Sequence, residues 1–202
     1  MYCPPAFAED RPDVLAGLIG AHPLGMLITV GTGGPSANAV PFQLGTDGRL
    51  RAHLARANPQ LAEIAADGTV LVVFQGEQSY ISPEWYATKQ QTGKVVPTWN
   101  YLMVQVRGKA RLMTGADWLG DQISALTDHM EHDRSEPWAV SDAPETFIAS
   151  QLRGIVGLEI DVTAMQGKWK AGQNRAEADR QGVSRALGDT HPTLAAAALR
   201  TS

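Results

Sequence analysis

The chain has one cysteine, Cys3, in 202 residues. A lone thiol cannot close an internal disulfide, and it has no cysteine neighbours with which to build a metal site. No apolar run approaches the ~20 residues that a membrane-spanning helix needs. The opening "MYCPPAFAEDRPD" is acidic and proline-rich and lacks the basic and apolar regions of a signal peptide. A soluble, cytoplasmic protein without membrane attachment is therefore expected. A basic excess is also lacking: the formal charge is -4, which argues against a surface broadly suited to polyanions. The glycine-rich dinucleotide fingerprint, the Walker phosphate loop and the GxSxG elbow are all absent.

What is present is a 44% apolar composition, enough to bury one sizeable core. Charge is unevenly placed. From Lys168 onward six Lys and Arg stand against three acids, a tail of +3 that leaves -7 upstream. A phosphate-bearing ligand should look to that tail. Aromatics are only 6% of the chain, yet Tyr80 to Tyr101, "YISPEWYATKQQTGKVVPTWNY", holds two of five tryptophans and three of four tyrosines.

Strand, turn and helix punctuation alternate along the chain. "EDRPDVLAGLIGAHP" predicts a short helix with Asp10 as N-cap and Val14, Leu15, Leu18 and Ile19 on one face. Three extended runs follow, separated by "GTGGP" and "GTDG", and read as an antiparallel meander. A helix over 58–66 should be capped by Asn58, with Pro59 at its first position. "TVLVVF" reads as a strand too apolar to be half exposed, and "TWNYLMVQVRGKARLM" as a long strand or a hairpin bending at Gly108. Helices are expected over 116–133, 144–152 and 175–187, with "GIVGLEIDVT" a strand between the last two. The sum is a mainly β protein with helices: one domain over 1–202 whose last part, 168–202, is a basic loop and helical extension.

Four local patterns could carry chemistry. In "HLARANPQL" a strand gives way to a helix, and His53, Arg56, Asn58 and Gln60 place donors beside free backbone N–H groups; a phosphate site or a plainly capped helix both fit. In "GKWKAGQNR", Lys168, Lys170 and Arg175 alternate with Trp169, Gln173 and Asn174, which suits either a phosphate ligand with a planar ring or a basic surface loop. His129 and His132 in "DHMEHD" stand i, i+3, but a metal would need further ligands, so a solvated helix face is the expectation. "GVSRALGDTHPTLAAAALR" has the flavour of a DNA-recognition helix, although a single continuous helix before it is the simpler reading.

Taken in order, "HLARANP", "YISPEWY", "VPTWNY", "RGIVGLEI" and "KWKAGQNR" resemble the PaiB-type family of FMN-binding negative transcriptional regulators, across nearly the whole chain. That family is similar to the wider flavin-binding split-barrel superfamily. The resemblance implies an antiparallel six-stranded split β-barrel with peripheral helices, working as a homodimer with FMN at the subunit interface. It places Asn38 and Val40 along the flavin ring and His53, Leu54, Arg56, Asn58 and Gln60 toward its edge and phosphate. Trp99, Asn100, Lys168, Gln173 and Asn174 would approach from the other side. Two positions depart from the family pattern: Gly172 replaces the serine of K-x-S-Q-N, and Leu61 stands where a tryptophan is usual. The lost hydroxyl removes one donor, worth about 0.5–1.5 kcal/mol.

Three functions follow as expectations: a regulator that uses flavin as ligand or redox sensor, an FMN-dependent oxidoreductase acting on a small molecule, and a dimeric binding module that has lost its cofactor. DNA as a partner comes from the resemblance alone. Tyr80, Trp85 and Tyr86 are expected to be core and interface packing residues.

Overall fold

The computed structural model describes residues 1–200. In chain order the elements are β1 (Ala8–Glu9), α1 (Pro12–Ala21), β2 (Leu24–Gly31), β3 (Gly34–Pro41), β4 (Gln43–Leu44), β5 (Leu50–Ala55), α2 (Gln60–Ala66), β6 (Thr69–Ile81) and α3 (Ala87–Thr92). They continue with β7 (Thr98–Met113), α4 (Ala116–Glu131), α5 (Glu145–Leu152), β8 (Ile155–Lys170), α6 (Glu177–Leu187) and α7 (Pro192–Leu199). The strands form one sheet in the order β3-β2-β6-β7-β8-β5-β4, with β1 pairing to β8. Every register pairing seen for β1 to β5 is antiparallel. Six strands are long, and the two-residue β1 and β4 raise the count from the expected six to eight. Among the described residues no helix is long and apolar enough to cross a membrane.

The expected meander forms, and β5 gains a further partner. β2 and β3 form a hairpin, with Leu27 opposite Asn38, and the end of the second run, β4, pairs with β5, Gln43 opposite Arg51; on its other edge β5 pairs with β8, Leu54 facing Val156. That last partner lies a hundred residues along the chain, where local turn chemistry has no influence.

The chain divides into two compact units, one of 23–73 and 106–165, the other of 1–22, 74–105 and 166 onward. In the first, Leu27, Phe42, Leu50, Val72, Leu158 and Ile160 are fully buried. β6 alternates there, Val70 and Val72 inward and Leu71 and Val73 only half-buried, so its apolar run is one strand with two unequal faces. β3 runs beside β5 without pairing to it. In the second unit α1 buries Leu15, Leu18 and Ile19. Arg11 rather than Asp10 occupies the N-cap of α1, and Arg11 is instead tied to the Glu9 carboxylate by two guanidinium bonds of 2.9 and 2.8 Å.

The tail of that unit is a pair of packed helices, α6 and α7, joined by a single turn at Gly188–Thr190. α7 buries Leu194, Ala195, Ala197 and Ala198, and the Glu77 carboxylate accepts the N–H groups of Thr193 and Leu194 at its start. An apolar helix with its inner face buried and its N-terminus capped has no polar face with which to read base edges. The DNA-recognition reading of this tail is thereby set aside.

Candidate functional site

In the unit of 23–73 and 106–165, the strand-to-helix turn is built around Gln60. The Asn58 Oδ1 accepts the Gln60 N–H at 2.9 Å, so Asn58 caps as expected, and Pro59 has helical backbone angles before α2 begins. The Gln60 side chain points inward and is 1% exposed. Its Nε2 donates to the Leu27 carbonyl at 3.1 Å and to Thr29 Oγ1 at 2.9 Å, while its Oε1 accepts from Asn38 Nδ2 at 2.9 Å. Thr29 and Ser36 hydroxyls in turn donate to Glu63, and those two bonds, Thr29 first, hold the Glu63 carboxyl below its ordinary range.

Of the residues expected near a ring and phosphate, Gln60, Val40 and Leu54 thus give their side chains to the core and can offer a ligand only backbone. His53 is half-buried with Nδ1 2.8 Å from Gln122 Oε1. Asn38 and Arg56 are exposed. Arg56 donates through Nε to the Arg153 carbonyl and through Nη2 to that of Ile155, leaving Nη1 with no acceptor among the described residues. β3 is the terminal strand of the sheet; Asn38 and Val40 turn their backbone groups toward β2, and Ala37 and Ala39 turn theirs away, unpaired among the described residues.

In the other unit the aromatic stretch divides. Tyr86 is buried under the Arg175 guanidinium, whose carbon sits 4.0 Å from the ring centroid, and Trp85 is half-buried. Tyr80 is 48% exposed and meets the exposed Trp99 edge to face at 6.1 Å, so within one chain it lies outside the core. The polar excursion after Tyr86 is helical, α3, and its Thr88 donates from N and Oγ1 to the Asp179 carboxylate at 2.8 and 2.9 Å.

Here lies a cavity of about 600 Å³. Phe7, Val96 and Pro97 give it an apolar wall, and Thr88, Thr98, Asn100, Asn174 and Asp179 give it polar groups. Lys170 and Arg175 supply two cations. Asn100 is 2% exposed, and its carboxamide lines the cavity without a protein partner among the described residues. Lys170 Nζ donates to Thr98 Oγ1 at 2.7 Å and to the Trp99 carbonyl, both neutral. Burial, then the charges of Lys168 and Arg175, push its ammonium below the ordinary lysine value.

Of the five residues expected on this side, the cavity gathers Asn100 and Asn174 but not the others. Lys168 is buried, donating to the Tyr2 carbonyl at 3.1 Å and lying over the Tyr2 and Tyr101 rings. Gln173 closes the turn, accepting from Ala171 N and donating to the Trp169 carbonyl. Gly172 has φ +84, a conformation glycine adopts freely and serine does not. The loss of the family serine therefore matches the local backbone. Thr88, Asp179 and Phe7 carry no local signal, since the chain brings them to the cavity only through tertiary packing. His129 and His132 stack at 6.0 Å, and no cluster of metal-ligating side chains occurs among the described residues.

The fold is that of flavin-binding split-barrel proteins. Solved structures sharing it include a conserved hypothetical protein from Mycobacterium tuberculosis, 12% identical with TM-score 0.63 over 87% of this chain and 94% of that one. Another is the FAD and heme binding protein from Mycobacterium smegmatis, 17% identical with TM-score 0.62 over 81% and 73%. At such identities the likeness is one of fold. Residues 1–164 match the family described as "Putative FMN-binding domain". The protease synthase and sporulation protein PAI 2 of Bacillus subtilis is 32% identical over 91% of this chain and 87% of its own length. An uncharacterized protein of Aspergillus fumigatus is 34% identical over 91% and 89%. The chain belongs to this FMN-binding family, the PaiB type that its motifs resemble, and FMN is the cofactor the family description carries.

Proposed function

We propose that this protein is an FMN-binding regulator, working as a homodimer with the flavin at the subunit interface as ligand or redox sensor. The observation that carries the flavin part is the outer edge of β3 beside Asn38 and Val40, where the backbone groups of Ala37 and Ala39 point away from β2. Its backbone donors and acceptors suit the nitrogen and oxygen edge of a flavin ring, and the exposed Arg56 with a free Nη1 suits a phosphate. His53 and Asn58 steady the turn between them. When bound, FMN supplies its own redox chemistry, so no protein acid, base or nucleophile is required. The single domain of 1–202 carries the whole activity in this reading.

The regulatory part rests on membership of the PaiB-type family. Direct DNA contact is not part of it, because α7 is buried and the net charge is negative. If the protein does grip its own upstream DNA, a mobility shift at low salt that fades steeply as salt rises will show it; no shift is expected. A second reading, an FMN-dependent oxidoreductase acting on a small molecule, is favoured by the cavity with its unpartnered Asn100. Reduction of bound flavin by NADH or NADPH followed by reoxidation in air supports that enzyme reading; a flavin inert to both nicotinamides leaves the sensor reading. The cofactor-free module loses its one support, since Gly172 answers to a backbone requirement.

A further inference from the structure

The cavity bounded by Asn100, Lys170 and Arg175 has a charge and polarity that the flavin assignment above does not use. Among its lining groups Lys170 and Arg175 are cations and Asp179 is the one carboxylate near them, so one positive charge is left over. Asp179 is committed elsewhere: it accepts two bonds from Thr88 and stands 4.0 Å from Arg175. No carboxylate lies within salt-bridge distance of Lys170 among the described residues, and its present acceptors are neutral. A half-buried ammonium facing only neutral oxygens is an arrangement that an anion improves.

Asn100 makes the second point independently. Asn100 is 2% exposed, and its carboxamide, with no protein partner among the described residues, meets solvent only through the cavity, where its two donors and its acceptor stand open to a ligand. It faces the same cavity as the two cations. The apolar wall of Phe7, Val96 and Pro97 completes a site with room for a small organic molecule, since ligand pockets run from about 300 to 1,000 Å³.

We propose that this cavity binds a small organic monocarboxylate, its carboxylate held by Arg175 and Lys170, a polar substituent met by Asn100, and its apolar body laid on Phe7 and Pro97. One surplus positive charge matches a monoanion, whereas a phosphate dianion would leave one negative charge uncompensated beside Asp179. The Arg175 guanidinium is already oriented by stacking on Tyr86, and although Nη1 stands 4.0 Å from Asp179, the arginine side chain makes no hydrogen bond among the described residues, so its N–H groups can turn to a carboxylate. As substrate or effector of a flavoprotein, this ligand rests on the flavin reading; as a bound carboxylate, it does not.

The test is calorimetric titration of the full chain, with and without FMN, using benzoate as the carboxylate and inorganic phosphate as the comparison at equal ionic strength. Benzoate should bind saturably and more tightly than phosphate, and R175M and K170M should each weaken it by about tenfold or more, as loss of a charged hydrogen bond does. Two variants guard against one that fails to fold, and flavin fluorescence is followed in the same samples. Benzoate binding without loss of flavin supports the proposal. So does benzoate binding, sensitive to both variants, in a chain that takes no FMN, an outcome that sinks the flavin reading alone. No saturable benzoate binding, equal affinity in both variants and wild type, tighter binding of phosphate, or displacement of FMN by benzoate overturns it, and the last leaves the flavin reading intact.

Discussion

Replacing Gln60 by methionine keeps the length of the side chain and removes its carboxamide. Three hydrogen bonds go: to the Leu27 carbonyl, to Thr29 Oγ1 and from Asn38. They are not equal losses. Asn38 is exposed and turns to water, and Thr29 keeps its bonds to Ser36 and Glu63, so each of these costs about 0.5–1 kcal/mol. Leu27 is wholly buried, and its carbonyl loses a donor that water cannot replace, about 1–2 kcal/mol. Methionine fills the space and returns part of this through apolar burial. The net expectation is a destabilisation of roughly 2 kcal/mol, read in urea as a midpoint lower by about 1 M with unchanged slope. Affinity for FMN, measured well below the transition, should change less than about threefold, because the carboxamide faces inward. A variant that unfolds at the wild-type midpoint refutes the buried hub. One that keeps its stability while losing flavin refutes the inward placement and restores Gln60 as a ligand contact.

Other perturbations have comparably definite outcomes. Asp179→Ala removes the acceptor for Thr88 N and Oγ1 and should lower stability by about 2 kcal/mol in chemical denaturation, with α3 exchanging its amide hydrogens faster than the rest of the chain. Gly182→Ala would raise stability by nearly 1 kcal/mol on helix propensity alone. Here the added Cβ would stand 2.0 Å from the Trp85 carbonyl, so thermal denaturation should instead show a clear loss. The Glu9 carboxyl is held down to about 2, chiefly by the Arg11 hydrogen bond. Its contribution to stability is full above the ordinary value of 4.5 and is lost as pH falls toward 2; Glu9→Gln should remove that part of the acid limb in pH-dependent urea titrations.

Local chemistry made much of this fold legible. The Asn58–Pro59 start of α2, the β2–β3 hairpin and the three helices over 116–131, 145–152 and 177–187 follow from caps, turns and periodicity that act within a few residues. Strand order did not follow, because β5 finds β8 across a hundred residues. α3 reads as a polar loop until Gly93, with φ 67, is taken as a helix C-cap signal. α7 is separable once Pro192 is read as a first-turn proline before an apolar stretch.

The site was legible by composition rather than by placement. Lys170, Arg175 and Asn174 stood out as cations among carboxamides, and Asn100 through its aromatic neighbour. Nothing local distinguishes the exposed Arg56 from the buried Gln60 four residues on, because which side of a short turn faces the core is set by the strands beneath it. Lys168 shows the same limit, a tail cation whose charge is spent between two tyrosine rings.

The flavin assignment is tested most directly by titrating the purified full chain with FMN and following flavin fluorescence and visible absorbance. Saturable binding with perturbed flavin fluorescence is expected, with a yellow protein that keeps its colour through gel filtration, both weakened in Arg56→Ala and unaffected in Lys168→Met provided that variant folds. A colourless protein whose addition leaves FMN fluorescence unchanged contradicts it.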